Sequence, residues 1–98
     1  MIASFGDQAT EDLFHGRRSK RVRVIPPDVQ RVGVRKLDMI QAAYELKDLR
    51  SPPGNRLEAL KGDLRGHHSI RVNDQWRIVF RWADGRANEV RVVDYHKG

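Results

Sequence analysis

Three adjacent residues near the chain end, Asp94-Tyr95-His96, place a carboxylate, a phenol and an imidazole together. An imidazole exchanges a proton near neutral pH, and a carboxylate beside it can orient it or raise its basicity. Composition alone favours a frayed polar terminus, whereas the position of the triplet, where the last strand leaves the sheet, favours a site. His67-His68 invites a metal reading and fails it. Adjacent strand residues point to opposite faces, and no cysteine or suitably spaced partner completes a ligand set, so no metal is expected. His15 falls near the end of a helix, where an imidazole suits the dipole. Lys61, in Lys61-Gly62-Asp63, puts a cation at a loop edge. There is no phosphate-binding glycine loop, nucleophilic serine motif or EF-hand pattern.

Arginines supply the other chemistry. Trp76, Ile78, Phe80 and Trp82 alternate with Arg77, Val79 and Arg81. A strand period of two therefore places the aromatic set on one face and the arginines on the other. Ile70 and Val72 join the apolar face, and Arg71 joins the basic one, with Arg91 as a further candidate. A single solvated arginine is ordinary, because its stem covers apolar surface. Three or four on one face of a small sheet point to an anion-binding surface, and phosphate suits the paired donors of guanidinium.

The elements that must position these groups follow from punctuation and period. Ile2 to Phe5 reads as a short opening strand. Asp7 caps a helix over 8–15, and Gly16 stops it. Pro26-Pro27-Asp28 opens a longer helix, whose apolar face is Val29, Val32, Leu37, Ile40, Ala43 and Tyr44. Gly33-Val34 weakens its middle. Glu45 to Leu49 suggests one more helical turn, and Ser51-Pro52-Pro53-Gly54-Asn55 an irregular loop. Strands follow: a short one within 57–60, one through Ile70 and Val72, one over 76–82 and one over 90–93. Turns at Asn73-Asp74-Gln75 and Asp84-Gly85 join the last three. Helices followed by an antiparallel sheet make an α+β fold, with the helices on one face of the sheet.

The whole chain has 98 residues, enough for a single domain, 1–98, with one compact core. Nineteen Lys and Arg against thirteen Asp and Glu leave a net charge of +6. A basic balance of that size points to a polyanionic partner, with nucleic acid ahead of a membrane surface. Five of the bases (Arg17, Arg18, Lys20, Arg21, Arg23) lie within residues 17–24, which carry no acid, and without them the remainder is nearly balanced. That stretch reads either as a strand edge, from its Val22 and Val24 alternation, or as a mobile basic loop over 17–25. The absence of cysteine excludes a disulfide scaffold, a zinc ribbon and thiol catalysis. With no signal peptide and no apolar run of membrane-spanning length, the cytoplasm is the expected location and no membrane partner is expected.

At RLEALKGD, HHSIRVNDQWRIVF and VVDYH, and in the opening MIASF and the loop DLRSPPGNRLEALKGD, the sequence resembles the HigB branch of the RelE-like toxins, also called proteic killer proteins. The match extends over nearly the whole chain. The resemblance implies a compact RelE-like fold and a ribosome-dependent mRNA endonuclease that uses no metal or other cofactor. It implies attack of the ribose 2′-hydroxyl on the adjacent phosphate, leaving a 2′,3′-cyclic phosphate and a 5′-hydroxyl. It also implies a helix-turn-helix antitoxin, HigA-like, as partner, with operator DNA reached only through that antitoxin. The family's site residues fall here on Lys61, Arg77, Asp94, Tyr95 and His96; the arginine face read from strand parity would add Arg71, Arg81 and Arg91 as RNA contacts. Lys61 and Arg77 would hold phosphorane charge, His96 would move the proton, Asp94 would orient it or share the base role, and Tyr95 would stack on a base or position the 2′-hydroxyl. Some relatives carry a histidine where this chain has Glu58. The competing expectations are a non-catalytic RNA- or ribosome-binding module on the same arginine face, and a co-repressor that works only with its antitoxin.

Overall fold

The computed structural model describes residues 1–95. Its elements are α1 (Gln8–Phe14), α2 (Pro27–Ala42), β1 (Glu58–Ala59), β2 (His67–Arg71), β3 (Trp76–Ala83) and β4 (Arg86–Asp94). The strands form one antiparallel sheet in the order β1-β2-β3-β4. Both helices contribute to a single core with the sheet, as the α+β expectation requires.

Each helix begins where the sequence signals it. Asp7 adopts an extended backbone and its carboxylate accepts the Thr10 N–H at 2.8 Å, which satisfies one orphan donor of the first turn of α1. Pro27 opens α2 and Asp28 follows in its first turn. Val29, Leu37, Ile40 and Ala43 are buried from α2 and its cap, facing the sheet. Tyr44 is not part of that face: α2 ends at Ala42, the backbone at Ala43 is extended, and Tyr44 is 88% exposed. Gly33 does not interrupt α2, because it is buried where Leu13 of α1 packs closest.

The central core row crosses three strands: Ile70, Ile78 and Val92 lie opposite one another and all are buried. Phe80 joins them, fully buried, while Trp76 and Trp82 at the two ends of β3 are half-buried. Asp84 and Gly85 both take positive φ (54° and 72°) in the two-residue β3–β4 turn, the mirror-image geometry that matches strand twist.

Residues 2–5 form two isolated parallel bridges, Ile2 to Ala87 and Phe5 to Val90, rather than a continuous strand. They still close the outer edge of β4, and Thr10 continues the cover by accepting the Val92 N–H at 2.9 Å. Residues 17–24 do not form a strand edge. Val22–Val24 is a 3-10 turn with Val22 buried, and the buried Asp12 carboxylate draws the preceding residues inward. It accepts from Ser19 Oγ at 2.8 Å and pairs with Arg17 at 3.2 Å and Arg21 at 3.8 Å.

Candidate active site

The register confirms the parity of the basic face. Arg71 lies opposite Arg77, Val79 opposite Arg91, and His67 opposite Arg81. Glu58 of β1 and Ser69 of β2 share this face through their own pairing. A bulge between Val79 and Arg81 leaves Glu89 at φ 54° and brings its carboxylate to Arg81 Nε at 2.9 Å. That contact holds the Glu89 carboxyl below the usual carboxylate value.

Arg77 departs from the sequence expectation. It does not project into solvent; it is only 9% exposed. Its Nε donates to Ser69 Oγ at 2.7 Å and its Nη2 to the Arg56 carbonyl at 2.7 Å, with the Glu58 carboxylate at 3.6 Å. Arg56 takes φ 45°, in the left-handed region, as the 3-10 turn Pro53–Asn55 ends, and this turns its carbonyl toward the sheet. A guanidinium held by two acceptors has one orientation, which is what paired recognition of phosphate oxygens requires. Val79 on the same face is fully buried, so this side of the sheet is itself covered rather than bare.

The other arginines are also engaged. Arg71 pairs with Asp74 across the β2–β3 turn, and Arg81 with Glu89. The stem of Arg91 lies over Gly6, where a Cβ would collide with it, so the chain can pass there only as glycine. The face is therefore a lattice of arginines with carboxylates at its margin.

Asp94 closes β4 opposite Trp76, and its Oδ2 accepts from Gln75 Nε2 at 3.1 Å. Tyr95 follows, half-buried, its N–H donating to the Gln75 carbonyl at 2.6 Å. His96 lies outside the described residues. Asp94 and Tyr95 thus share the end of the sheet with Arg71 and Arg77, but the pairing with Trp76 gives Asp94 the parity of the apolar face, not that of the arginines. Lys61 stands at the other end: it follows β1, caps the 3-10 turn Gly62–Leu64 and is exposed at the tip of the β1–β2 hairpin, toward Arg81. The direct contacts join Arg77 to Ser69, Arg56 and Glu58, not to Lys61.

His67 and His68 point to opposite faces, as a strand requires. His68 stacks on Phe80 with ring centroids 6.4 Å apart, and burial, with His67 adding to it, pushes its pKa down. Among the described residues no group of three His, Cys, Asp or Glu gathers as a metal site. Sequence reasoning missed Ser69 and the Arg56 carbonyl. Counting back two residues from Arg71 would have placed Ser69 on the arginine face; nothing in the spacing announces a left-handed Arg56.

The same architecture occurs in solved assemblies. The YoeB–YefM complex from Staphylococcus aureus aligns over 99% of both chains with a TM-score of 0.54 and 22% identity. A heterotetrameric YoeB–YefM toxin–antitoxin complex from the same organism gives 0.55 at the same identity and coverage. The fold is that of the RelE-like toxins. At the level of sequence, the chain is 43% identical over 97 residues to Toxin HigB-1 of Vibrio cholerae, covering 99% of each. It is 35% identical over 96 residues to Endoribonuclease HigB of Proteus vulgaris, covering 98% of this chain and all of that one. Residues 3–96 match the family described as the RelE-like toxin of the type II toxin–antitoxin system HigB, and the chain belongs to that family.

Proposed function

We propose that this chain is a ribosome-dependent mRNA endonuclease, held in check by a helix-turn-helix antitoxin of the HigA kind. The observation that carries the reading is Arg77: a nearly buried guanidinium, fixed by Ser69 and the Arg56 carbonyl, on the basic sheet face beside the strand end that bears Asp94 and Tyr95. The relative named Endoribonuclease HigB supports cleavage of RNA, and the YoeB–YefM assemblies support an antitoxin partner.

Transesterification at phosphate needs a base for the 2′-hydroxyl, an acid for the leaving 5′-oxygen and fixed positive charge for the phosphorane. Arg77 supplies the fixed charge. His96 moves the proton, Asp94 orients it or shares the base role, and Tyr95 stacks on a base or sets the 2′-hydroxyl. Lys61, at the far end of the same sheet, contributes charge along the RNA, and Arg71, Arg81 and Arg91 contact its phosphates. The reaction uses no metal or other cofactor. A side-chain set this sparse suffices because the ribosome delivers an oriented mRNA strand, and orientation is a large part of such a barrier.

The test is translation in vitro with purified ribosomes and a defined mRNA, mapping new 5′ ends. Cuts that need both the ribosome and His96, and that are lost in His96→Gln, are the expected result. Tight ribosome binding without cuts would overturn the reading in favour of a non-catalytic module.

A further inference from the structure

One cation makes an expensive contact that the proposed chemistry does not use. Lys36, on α2, sends its ammonium to the side-chain oxygen of Asn55, which is fully buried. Asn55 spends its amide on two backbone carbonyls, Leu49 O at 3.2 Å and Ser51 O at 3.3 Å. Its own N–H donates to Pro52 O at 2.9 Å, so one asparagine ties both ends of the 49–55 segment to itself. The residue that follows is Arg56, left-handed at φ 45°, whose carbonyl receives Arg77 Nη2.

We infer that Lys36 and Asn55 are positioning residues for Arg77: they lock the segment before Arg56 so that its carbonyl holds the guanidinium at the angle phosphate requires. This rests on the endonuclease reading above. The sequence of contacts is continuous, from Lys36 through Asn55 and the Arg56 backbone to Arg77, and it crosses from helix to loop to sheet. Lys36 reaches Asn55 from α2, while the loop residues on either side of Asn55 are exposed.

The ammonium is held against resistance. Burial lowers its pKa, and the nearby Arg35 and Arg71 lower it further. A cation kept half-buried among like charges, with a neutral amide as its hydrogen-bond acceptor, is costly as mere packing. The cost is intelligible where the geometry downstream must be exact to a fraction of an ångström, since a displacement of about 1 Å at a reacting centre can lose on the order of 100-fold in rate.

Lys36→Met, Lys36→Arg and the parent chain decide the matter. The ribosome-programmed cleavage assay is run with kcat and KM separated, and the Arg77 Nε–H signal is followed by nitrogen-edited NMR at a temperature where each chain is folded by its amide spectrum. In the parent, the Arg77 Nε–H is expected to exchange slowly with water. Lys36→Met is expected to lower kcat about 10- to 100-fold with KM within about twofold, and to speed that exchange. Lys36→Arg, which restores a donor, is expected to recover both. Unchanged kcat with an unchanged Arg77 signal in Lys36→Met overturns the inference. So does a loss confined to KM, which would make Lys36 an RNA contact in its own right. If the parent chain makes no cuts, the endonuclease reading fails by itself, and the Arg77 signal alone then judges the bracing.

Discussion

Arg77 illustrates how one side chain can be structural and chemical at once. Its Nε is committed to Ser69 and its Nη2 to a loop carbonyl, so much of the guanidinium has left water. The arrangement is stable only while both acceptors are present, because an orphaned buried donor costs the full desolvation of that group. Ser69→Ala removes the Nε acceptor from a site that is itself fully buried. It is expected to cost about 1–3 kcal/mol, read as a lower urea midpoint with an unchanged slope. Arg77→Lys keeps the charge but loses the fork, and should lower cleavage by roughly 100-fold or more in the ribosome assay. A lysine that cleaved as well as the parent would show that charge alone is sufficient. The parity of Arg77 was legible in the alternation of 76–82. Its burial was not, because the acceptor arrives from a loop residue in a left-handed conformation and the carboxylate from the register of a two-residue strand.

At the scale of elements, punctuation proved more legible than pairing. Asp7, Pro27 and the Asp84-Gly85 turn announce themselves through local chemistry that any chain would obey. The alternation at 22–24 misled, since two valines flanking an arginine are equally compatible with a strand and with a 3-10 turn whose Val22 tucks inward. What decided between them is Asp12, ten residues upstream of Val22, and no period connects the two. Tyr44 misled for a similar reason: it keeps the helical spacing past the point where the helix stops. Gly33 has a different lesson. It sits in the interior of α2 with φ in the ordinary helical range, and an added Cβ would meet only the Leu13 Cδ2, at 3.6 Å, which is normal contact. Nothing in the packing therefore requires glycine. Gly33→Ala is expected to stabilise the fold by about 0.5–1 kcal/mol through lower chain entropy in the unfolded state and a better helix former. Thermal melting checks it; a lower melting temperature would mean that the contact with Leu13 does not accept the added methyl group.

For the molecule as a whole, the charge that first suggested a polyanionic partner is partly spent on the fold. Arg17 and Arg21 answer Asp12, Arg71 answers Asp74, Arg77 reaches Glu58 and Arg81 answers Glu89. Stability is coupled to pH chiefly at His68 and Asp12, with the solvent-screened Glu89–Arg81 pair adding a minor share in the acid range. His68 lies against Phe80, and burial holds its pKa below the ordinary value. In that window the unfolded chain binds more protons than the folded one. Its contribution is complete above about pH 6.5 and is lost as pH falls from there through the lower folded value. Asp12 acts further down the scale. Hydrogen bonds from Gln8 and Ser19, with Arg17 adding to them, hold its carboxyl below the usual value against the opposing effect of burial. Its stabilisation is present above the unfolded carboxylate pKa of about 3.9 and disappears as pH falls through the folded value. Acid should therefore loosen the chain in two descents, the first beneath the sheet and the second where the basic segment 17–24 joins α1. Melting temperature followed from pH 8 to 3 is expected to show both. His68→Phe, which keeps the aromatic stack, should flatten the upper descent and spare the lower. Asp12→Asn should lower melting by several degrees at neutral pH, flatten most of the lower descent and spare the upper one. If either substitution removed both descents, the two sites would not titrate independently, and the division of the molecule into a histidine-sensitive sheet and a carboxylate-anchored basic segment would be wrong.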